Sequence, residues 1–151
     1  MSWFKCSQQV CREAQCKMFK ARQEKGIVVR TANKVGALAE FSKIVAETGV
    51  GVGILALSAW VEGAEAVIRL ICEDTPRTMD VLRDNGYDPQ ERDVVLVDAA
   101  HQPGILHRLT ETLARENIDI FHLFASAIDK NECLAVLNSS DNERAIELLN
   151  D

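Results

Sequence analysis

The chain has 151 residues and a formal net charge of −6, with 47% hydrophobic and 26% charged residues. This length suits one ordinary domain or two very small ones, and the apolar fraction is enough for a packed core. The acidic balance argues against a nucleic-acid-binding protein, which normally presents a basic face. No run of about eighteen apolar residues is present, so we expect neither a membrane span nor a membrane partner.

Residues 1–25 are expected to form a helical or flexible N-terminal segment. Cys6, Cys11 and Cys16 are spaced five apart, and steps of five along a helix turn each thiol away from the last. A redox or metal sensor built on these cysteines is therefore kept only as an alternative. The segment lacks the apolar core of a signal peptide, and the chain holds an odd count of 5 cysteines. We expect a cytoplasmic protein without disulfides.

The rest of the chain repeats itself at a fixed offset of 68 residues, which places Gly36 on Gly104. Identities between the two copies are few, but apolar residues coincide along the offset without a gap. Such self-similarity indicates two copies of one structural unit. We assign the first unit to residues 26–93 and the second to residues 94–151.

Each unit contains the same series of predicted elements. A β-branched run predicts a first strand, apolar residues at helical spacing predict a helix, and two extended runs joined by a polar turn predict a hairpin. A second helix follows, with Thr75 or Asp141 as its N-cap. The predicted strands are Gly26–Thr31, Val50–Val61 and Ala64–Cys72 in the first unit, and Val94–Ala99, Ile118–Asp129 and Glu132–Asn138 in the second.

This order predicts an α+β fold of two ferredoxin-like βαββαβ units, each with an antiparallel sheet and with helices on one face. A short closing strand in Tyr87–Arg92 is expected to complete the first unit. The second unit has no room for its last strand before Asp151, which would leave its first strand at an unpaired edge. We expect the N-terminal segment or another subunit to cover that edge.

The corner between the first strand and the first helix is the candidate binding feature of both units. It reads Asn33-Lys-Val-Gly-Ala-Leu38 in the first unit and His101-Gln-Pro-Gly-Ile-Leu106 in the second. Pro103 is expected at the first helical position, and each glycine would let another group approach the backbone closely. First-turn amides have no partner within the helix, so with the helix dipole they suit a carboxylate or other anion. A plain strand-to-helix connection is the alternative.

Two βαββαβ units that both carry this corner motif resemble the ACT domain family, over roughly residues 26–151. Members of that family are regulatory modules that typically bind amino acids, often between two domains packed side by side. The resemblance implies that the corner backbone of both units faces the carboxylate of a ligand. The corner residues are Val35, Gly36 and Ala37 in the first unit, and Pro103, Gly104 and Ile105 in the second.

The resemblance also implies two polar ligand-binding positions, which the two units fill unequally. Asn33 occupies the first position, before the helix, and His101 replaces it in the second unit. Asp119 occupies the other position, at the start of the second strand, where the first unit has Gly51. Val35 stands in the first unit where the family usually has proline. We therefore expect one site to combine Asn33 from one unit with Asp119 from the other, at the seam between units or between subunits.

The expected function is regulation through an amino acid or similar small ligand, in a homodimer, with a regulated enzyme as a further partner. No catalytic Ser-His-Asp order, phosphate loop or paired-carboxylate site is evident, so we expect no enzyme activity and no cofactor. His101, His107 and His122 lack a carboxylate at ligand spacing, which favours structural roles over a metal site. An assembly module that binds no ligand is the main alternative. RNA binding is disfavoured because the aromatic strand motif is absent.

Overall fold

The computed structural model describes residues 17–47 and 53–151. Within them lie six strands and four helices, in the order that the repeat predicts. No helix in these residues is long and apolar enough to cross a membrane. The strands are β1 (Phe19–Ala32), β2 (Ile54–Glu62), β3 (Glu65–Cys72), β4 (Gln90–Ala100), β5 (Ile120–Ala127) and β6 (Glu132–Ser139), and the helices are α1 (Ala37–Ala46), α2 (Thr75–Asp84), α3 (Ile105–Arg115) and α4 (Asn142–Asn150).

All six strands form one antiparallel sheet with the order β2-β3-β1-β4-β6-β5. The predicted α+β fold of two ferredoxin-like units is thereby confirmed. The two first strands, β1 and β4, lie side by side at the centre, and each occupies the fourth-strand position of the other unit. No separate closing strand is needed, because the units complete each other.

Two sequence predictions about this central region are wrong. A closing strand in Tyr87–Arg92 and a first strand in Val94–Ala99 were expected as separate elements, but β4 runs unbroken from Gln90 to Ala100. Residues 19–25 were assigned to a helical or flexible segment, yet they form the first half of β1. They are extended because they pair with β4 and cover the edge that the second unit would otherwise expose.

The last helix of the second unit also holds this first half of β1. The backbone N–H of Ala21 donates to Oδ1 of Asn150 at 2.9 Å, and Nδ2 of Asn150 donates to the Ala21 carbonyl at 2.9 Å. These two bonds satisfy backbone groups on the side of β1 that faces away from β4. The second unit therefore includes a strand that lies before the first unit in the sequence.

The register between β1 and β4 has an internal symmetry. Lys25 lies opposite Asp93, and these two residues are also equivalent under the repeat offset of 68 residues. The pseudo-two-fold axis that relates the units therefore passes between them. Their side chains form an ion pair, which raises the pKa of Lys25 and lowers the pKa of Asp93 from their ordinary values.

The four helices cover one face of the sheet. Alternate residues of β1 point to this face, so Phe19 and Ala21 belong to the hydrophobic core of the second unit, whereas Ile27 and Val29 belong to the core of the first. Phe41 of α1 fills the first core and Leu113 of α3 fills the second, and both are fully buried. Strand β1 therefore contributes side chains to both cores.

The opposite face of the sheet carries no helix and is concave. Val94 and Leu96 of β4 are buried there with Ile71 and Val136, although no other layer covers them. The sheet curls until its two edge strands approach each other, and the ring of Trp60 on β2 stacks on the ring of His122 on β5 at 5.7 Å. This curl buries the middle of the concave face.

Helix termini follow one of the three predicted signals. Asp141 is the N-cap of α4, as predicted, because its side chain accepts a hydrogen bond from the Arg144 N–H at 2.9 Å. The N-cap of α2 is Asp74 and not Thr75. Pro103 is not the first helical residue either, because α3 begins at Ile105 with Gly104 as its N-cap.

Candidate functional site

The two corner loops have the same backbone geometry. Gly36 and Gly104 are the N-caps of α1 and α3, with φ of 87° and 81°, and neither helix has a side-chain cap. A Cβ at either glycine would meet nothing within 4 Å. The glycines are therefore required by a left-handed backbone, and not by the close approach of another group within the chain.

One amide of each predicted corner is already bonded within the loop. The N–H of Ala37 donates to the Lys34 carbonyl at 3.1 Å, and the N–H of Ile105 donates to the Gln102 carbonyl at 3.2 Å. No backbone acceptor among the described residues bonds the amides on either side, those of Gly36 and Leu38 in the first unit and of Gly104 and Leu106 in the second. Together with the missing caps, they leave both helix N-termini open to an anion.

The corner of the first unit forms one wall of a cleft. Asn33, Gly36 and Ala37 line it together with Trp60 and Val61 of β2. The space that the centre of a water molecule can reach there is about 260 Å³. The Asn33 backbone is fixed by its N–H, which donates to the Ala64 carbonyl at 2.9 Å, while its side chain is exposed. This corner is the better formed of the two.

The corner of the second unit is more open. His101, Pro103 and Gly104 are exposed, and Ile105 is half-buried against the second core. The His101 N–H donates to the Asn131 carbonyl at 2.7 Å, which fixes the loop to the β5–β6 turn. A neighbouring cleft, between the end of β4 and that turn, is lined by Asp98 and Glu132 but by none of the corner residues.

Asp119 belongs to neither corner. It precedes β5, is exposed, and exchanges hydrogen bonds with Ser140, whose Oγ accepts from the Asp119 N–H at 3.0 Å. β4 and β5 run parallel with β6 between them, so the loop after β4 and the residue before β5 lie at opposite ends of the unit. The structure therefore does not bring His101 and Asp119 together. The cleft around Asn33 does not include Asp119 either.

The two units nevertheless meet a second time near these residues. Trp60, on the wall of the Asn33 cleft, stacks on His122, which follows Asp119 by three residues on β5. The sequence analysis missed Trp60, because a single aromatic residue in an edge strand carries no distinguishing pattern. Gly51, the counterpart of Asp119, lies outside the described residues.

The remaining candidate groups have other roles. His107 is exposed on α3, with Nε2 at 3.8 Å from the Glu111 carboxylate. Cys72 is buried in the first core, and partial burial raises the pKa of the Cys133 thiol. In residues 17–47 and 53–151, no three His, Cys, Asp or Glu side chains are grouped to hold a metal ion. Cys6, Cys11 and Cys16 lie outside this part of the chain.

Comparisons with known proteins agree with this architecture. The chain matches a family model described as an ACT domain pair over residues 23–151. The solved structure of protein BT0572 from Bacteroides thetaiotaomicron has 25% identity and a TM-score of 0.78, and the match covers 86% of this chain and 88% of that one.

Two further solved structures share the fold at lower identity. The ligand-free regulatory subunit of aspartate kinase from Thermus thermophilus has 12% identity and a TM-score of 0.62, with 85% and 93% of the two chains covered. A structure of aspartokinase alpha and beta subunits has 18% identity and a TM-score of 0.61, with 87% and 93% covered. No curated protein matches the chain.

Proposed function

The chain belongs to the ACT domain family, and we propose that it is a regulatory protein that binds an amino acid or a similar small carboxylate. The observation that carries this proposal is the pair of uncapped helix N-termini, each preceded by a glycine in the left-handed conformation. Such termini attract a carboxylate through free amides and the helix dipole. Ligand binding would shift the activity or the assembly of a partner, and the chain itself would carry out no reaction.

A seam between two copies of the chain is the proposed location of the ligand. β2 and β5 are the free edges of the sheet, and both expose large apolar side chains. Val61 on β2 is 57% exposed and Phe121 on β5 is 65% exposed. Exposed apolar side chains beside unpaired edge strands favour strand pairing with a second copy. A homodimer through these edges would cover them.

Antiparallel pairing at such a seam supplies a physical reason to combine Asn33 with Asp119. β2 runs parallel to β1, so the end of β2 lies at the same end of the unit as the Asn33 corner. Pairing β2 of one copy with β5 of another would set that end beside the start of β5, where Asp119 lies. The Asn33 amide would then orient the ligand, and the Asp119 carboxylate would pair with its ammonium group.

We predict that a panel of amino acids contains one that stabilises the protein in a thermal-shift assay. A ligand at about 100 times its Kd adds about 2.7 kcal/mol to the free energy of unfolding, and each kcal/mol raises Tm by roughly 2–4 °C at this chain length. The double variant Asn33→Ala, Asp119→Ala should lose the response. The matched control is Asp84→Ala, an exposed acidic residue on α2 far from both corners.

Three outcomes separate the parts of this proposal. Flat melting curves across the whole panel would contradict ligand binding. A double variant that binds as tightly as the parent would contradict the Asn33 and Asp119 site but not the function. Concentration-dependent assembly without any ligand response would favour the second candidate function, an assembly module that uses the exposed edges of β2 and β5.

A further inference from the structure

A second cavity lies on the concave face of the sheet, away from the helices and the corner loops. The space that the centre of a water molecule can reach in it is about 30 Å³. That space holds a water molecule or two, or one small polar group. β1 to β6 all contribute to its lining, so both units form it.

The charged groups of this cavity are all basic. Arg69 of β3, Arg92 of β4 and His122 of β5 line it, and none of the described lining residues is an aspartate or glutamate. Within residues 17–47 and 53–151, no carboxylate forms an ion pair with Arg69 or Arg92. Three basic side chains from three strands thus face one space without a counter-ion.

Arg69 is the least satisfied of these groups. Its Nε is buried and has no hydrogen-bond partner among the described residues, while its guanidinium lies 5.4 Å from the centre of the Trp60 ring. A buried donor that lacks an acceptor costs free energy, and more so when it is charged. Burial and the charges of Arg30 and Arg92 lower the pKa of Arg69 from its ordinary value. An anion in the cavity would relieve both penalties.

The floor of the cavity is made by a glycine in the middle of a strand. Gly26 lies on β1 opposite Arg92, and it leaves the space that a side chain would fill. Glycine weakens a strand interior, and its presence there commonly marks the approach of a ligand or another backbone. Around the floor, Phe124 and Val94 supply apolar walls.

We propose that the concave cavity binds the carboxylate group of a small molecule, with Arg69 as the main donor and Arg92 as a second positive charge. The planar guanidinium of arginine matches a carboxylate in shape and charge, and the reachable space admits a group of that size. The apolar walls accommodate a short hydrocarbon part. This site is distinct from the corner loops, because none of the corner residues lines it.

The test uses the full-length protein and sodium acetate as the probe, at an ionic strength held constant with sodium chloride. The Arg69 Nε–H signal, identified by its absence in Arg69→Lys, is followed by nuclear magnetic resonance. We expect a saturable shift of this signal. The pKa of His122 should rise at the same time, since an anion beside the ring stabilises its protonated form. Without an anion, burial and the charge of Arg69 lower the pKa of His122 from its ordinary value.

Two variants and one control test the geometry. Because Arg69→Gln removes the Arg69 signal, the His122 ring signals report binding in all three variants. Arg69→Gln should weaken acetate binding about tenfold or more, because it removes a hydrogen bond to a charged group. Gly26→Ala should weaken it without any change of charge, since the new Cβ would occupy the cavity floor, in van der Waals contact with Cγ1 of Val94 at 3.4 Å. Arg115→Gln, an exposed arginine on α3 paired with Glu111, should bind acetate like the parent.

Several results would overturn the proposal. A linear shift of the His122 ring signals that is equal in Arg69→Gln and Arg115→Gln would mean general screening by salt. Tighter binding of inorganic phosphate than of acetate would contradict a carboxylate site. An Arg69 signal that moves with protein concentration and ignores acetate would mean that a carboxylate of a second copy fills the cavity. Unchanged acetate binding in Gly26→Ala would mean that the anion binds elsewhere. The result for the Asn33→Ala, Asp119→Ala variant does not bear on this test, because neither residue lines the concave cavity.

Discussion

Single residues at the strand-to-helix corners explain why both units have glycine at the same position. Gly36 and Gly104 each turn the chain through a left-handed conformation just before a helix, and the space in front of them is open. Asn117, after α3, is the one described non-glycine residue with a positive φ, at 57°. Asparagine adopts this conformation more readily than other L-residues. The sequence therefore identifies the corners correctly, but the reason is backbone conformation.

Replacement of Gly104 should test that reason. We predict that Gly104→Ala lowers the free energy of unfolding by about 1–2 kcal/mol, the cost of placing a Cβ in the left-handed region. Gly104→Asn should cost less. Urea denaturation with a common m-value measures both changes. If Gly104→Ala proves as stable as the parent, the conformation of this corner is not the one described.

Among the elements, the helices divide into two kinds by their N-termini. α2 and α4 are capped by Asp74 and Asp141, which accept hydrogen bonds from the N–H groups of Arg77 and Arg144 at 3.2 Å and 2.9 Å. α1 and α3 have glycine at the same position and no side-chain cap. In each unit the N-terminus of the second helix is thus capped by a side chain, whereas the N-terminus of the first helix is not. A ligand that binds at the first helix requires this uncapped N-terminus.

The caps of α2 and α4 should contribute equally to stability. We predict that Asp74→Ala and Asp141→Ala each lower the free energy of unfolding by about 1 kcal/mol. Asp84→Ala, within α2, should change it by less than about 0.5 kcal/mol. Chemical denaturation of the three variants measures these values. A negligible effect at Asp74 would restore Thr75, the residue that the sequence favoured, as the cap.

At the scale of the whole molecule, the exchange of central strands makes the two units inseparable. The first half of β1 contributes Phe19 and Ala21 to the second core, and its second half contributes Ile27 and Val29 to the first. Unfolding either unit therefore removes a strand from the other. A boundary drawn between residues 93 and 94 cuts through β4 and does not separate two independent bodies.

We predict one cooperative thermal transition for the full chain. Differential scanning calorimetry should give a calorimetric enthalpy equal to the van't Hoff enthalpy, the test of all-or-none unfolding. Independent units would give two transitions, or a calorimetric enthalpy about twice the van't Hoff value. Either of those results would contradict the shared central strands.

The repeat in the sequence predicts the elements of this fold but not their exchange. Apolar spacing within each unit is local and identifies the helices and hairpins. The pairing of β1 with β4 is non-local, and residues 20–25 are mostly polar, so only Phe19 and Ala21 mark a strand there. The corner loops were predictable from their motif. The concave cavity was not, because Gly26, Arg69 and His122 are far apart in the sequence and meet only when the sheet curls.

The pairing of Lys25 with Asp93 has a consequence for how such a protein can be assembled. Two separate, identical units related by a true two-fold axis would bring this position against its own copy, lysine on lysine or aspartate on aspartate. Like charges in contact oppose association. When the two copies are joined in one chain, the equivalent positions can differ in sequence. Lysine and aspartate, which have opposite charges, then lie on either side of the axis. Tandem duplication therefore permits an attraction at the centre of the sheet that a symmetric homodimer of single units is unable to form.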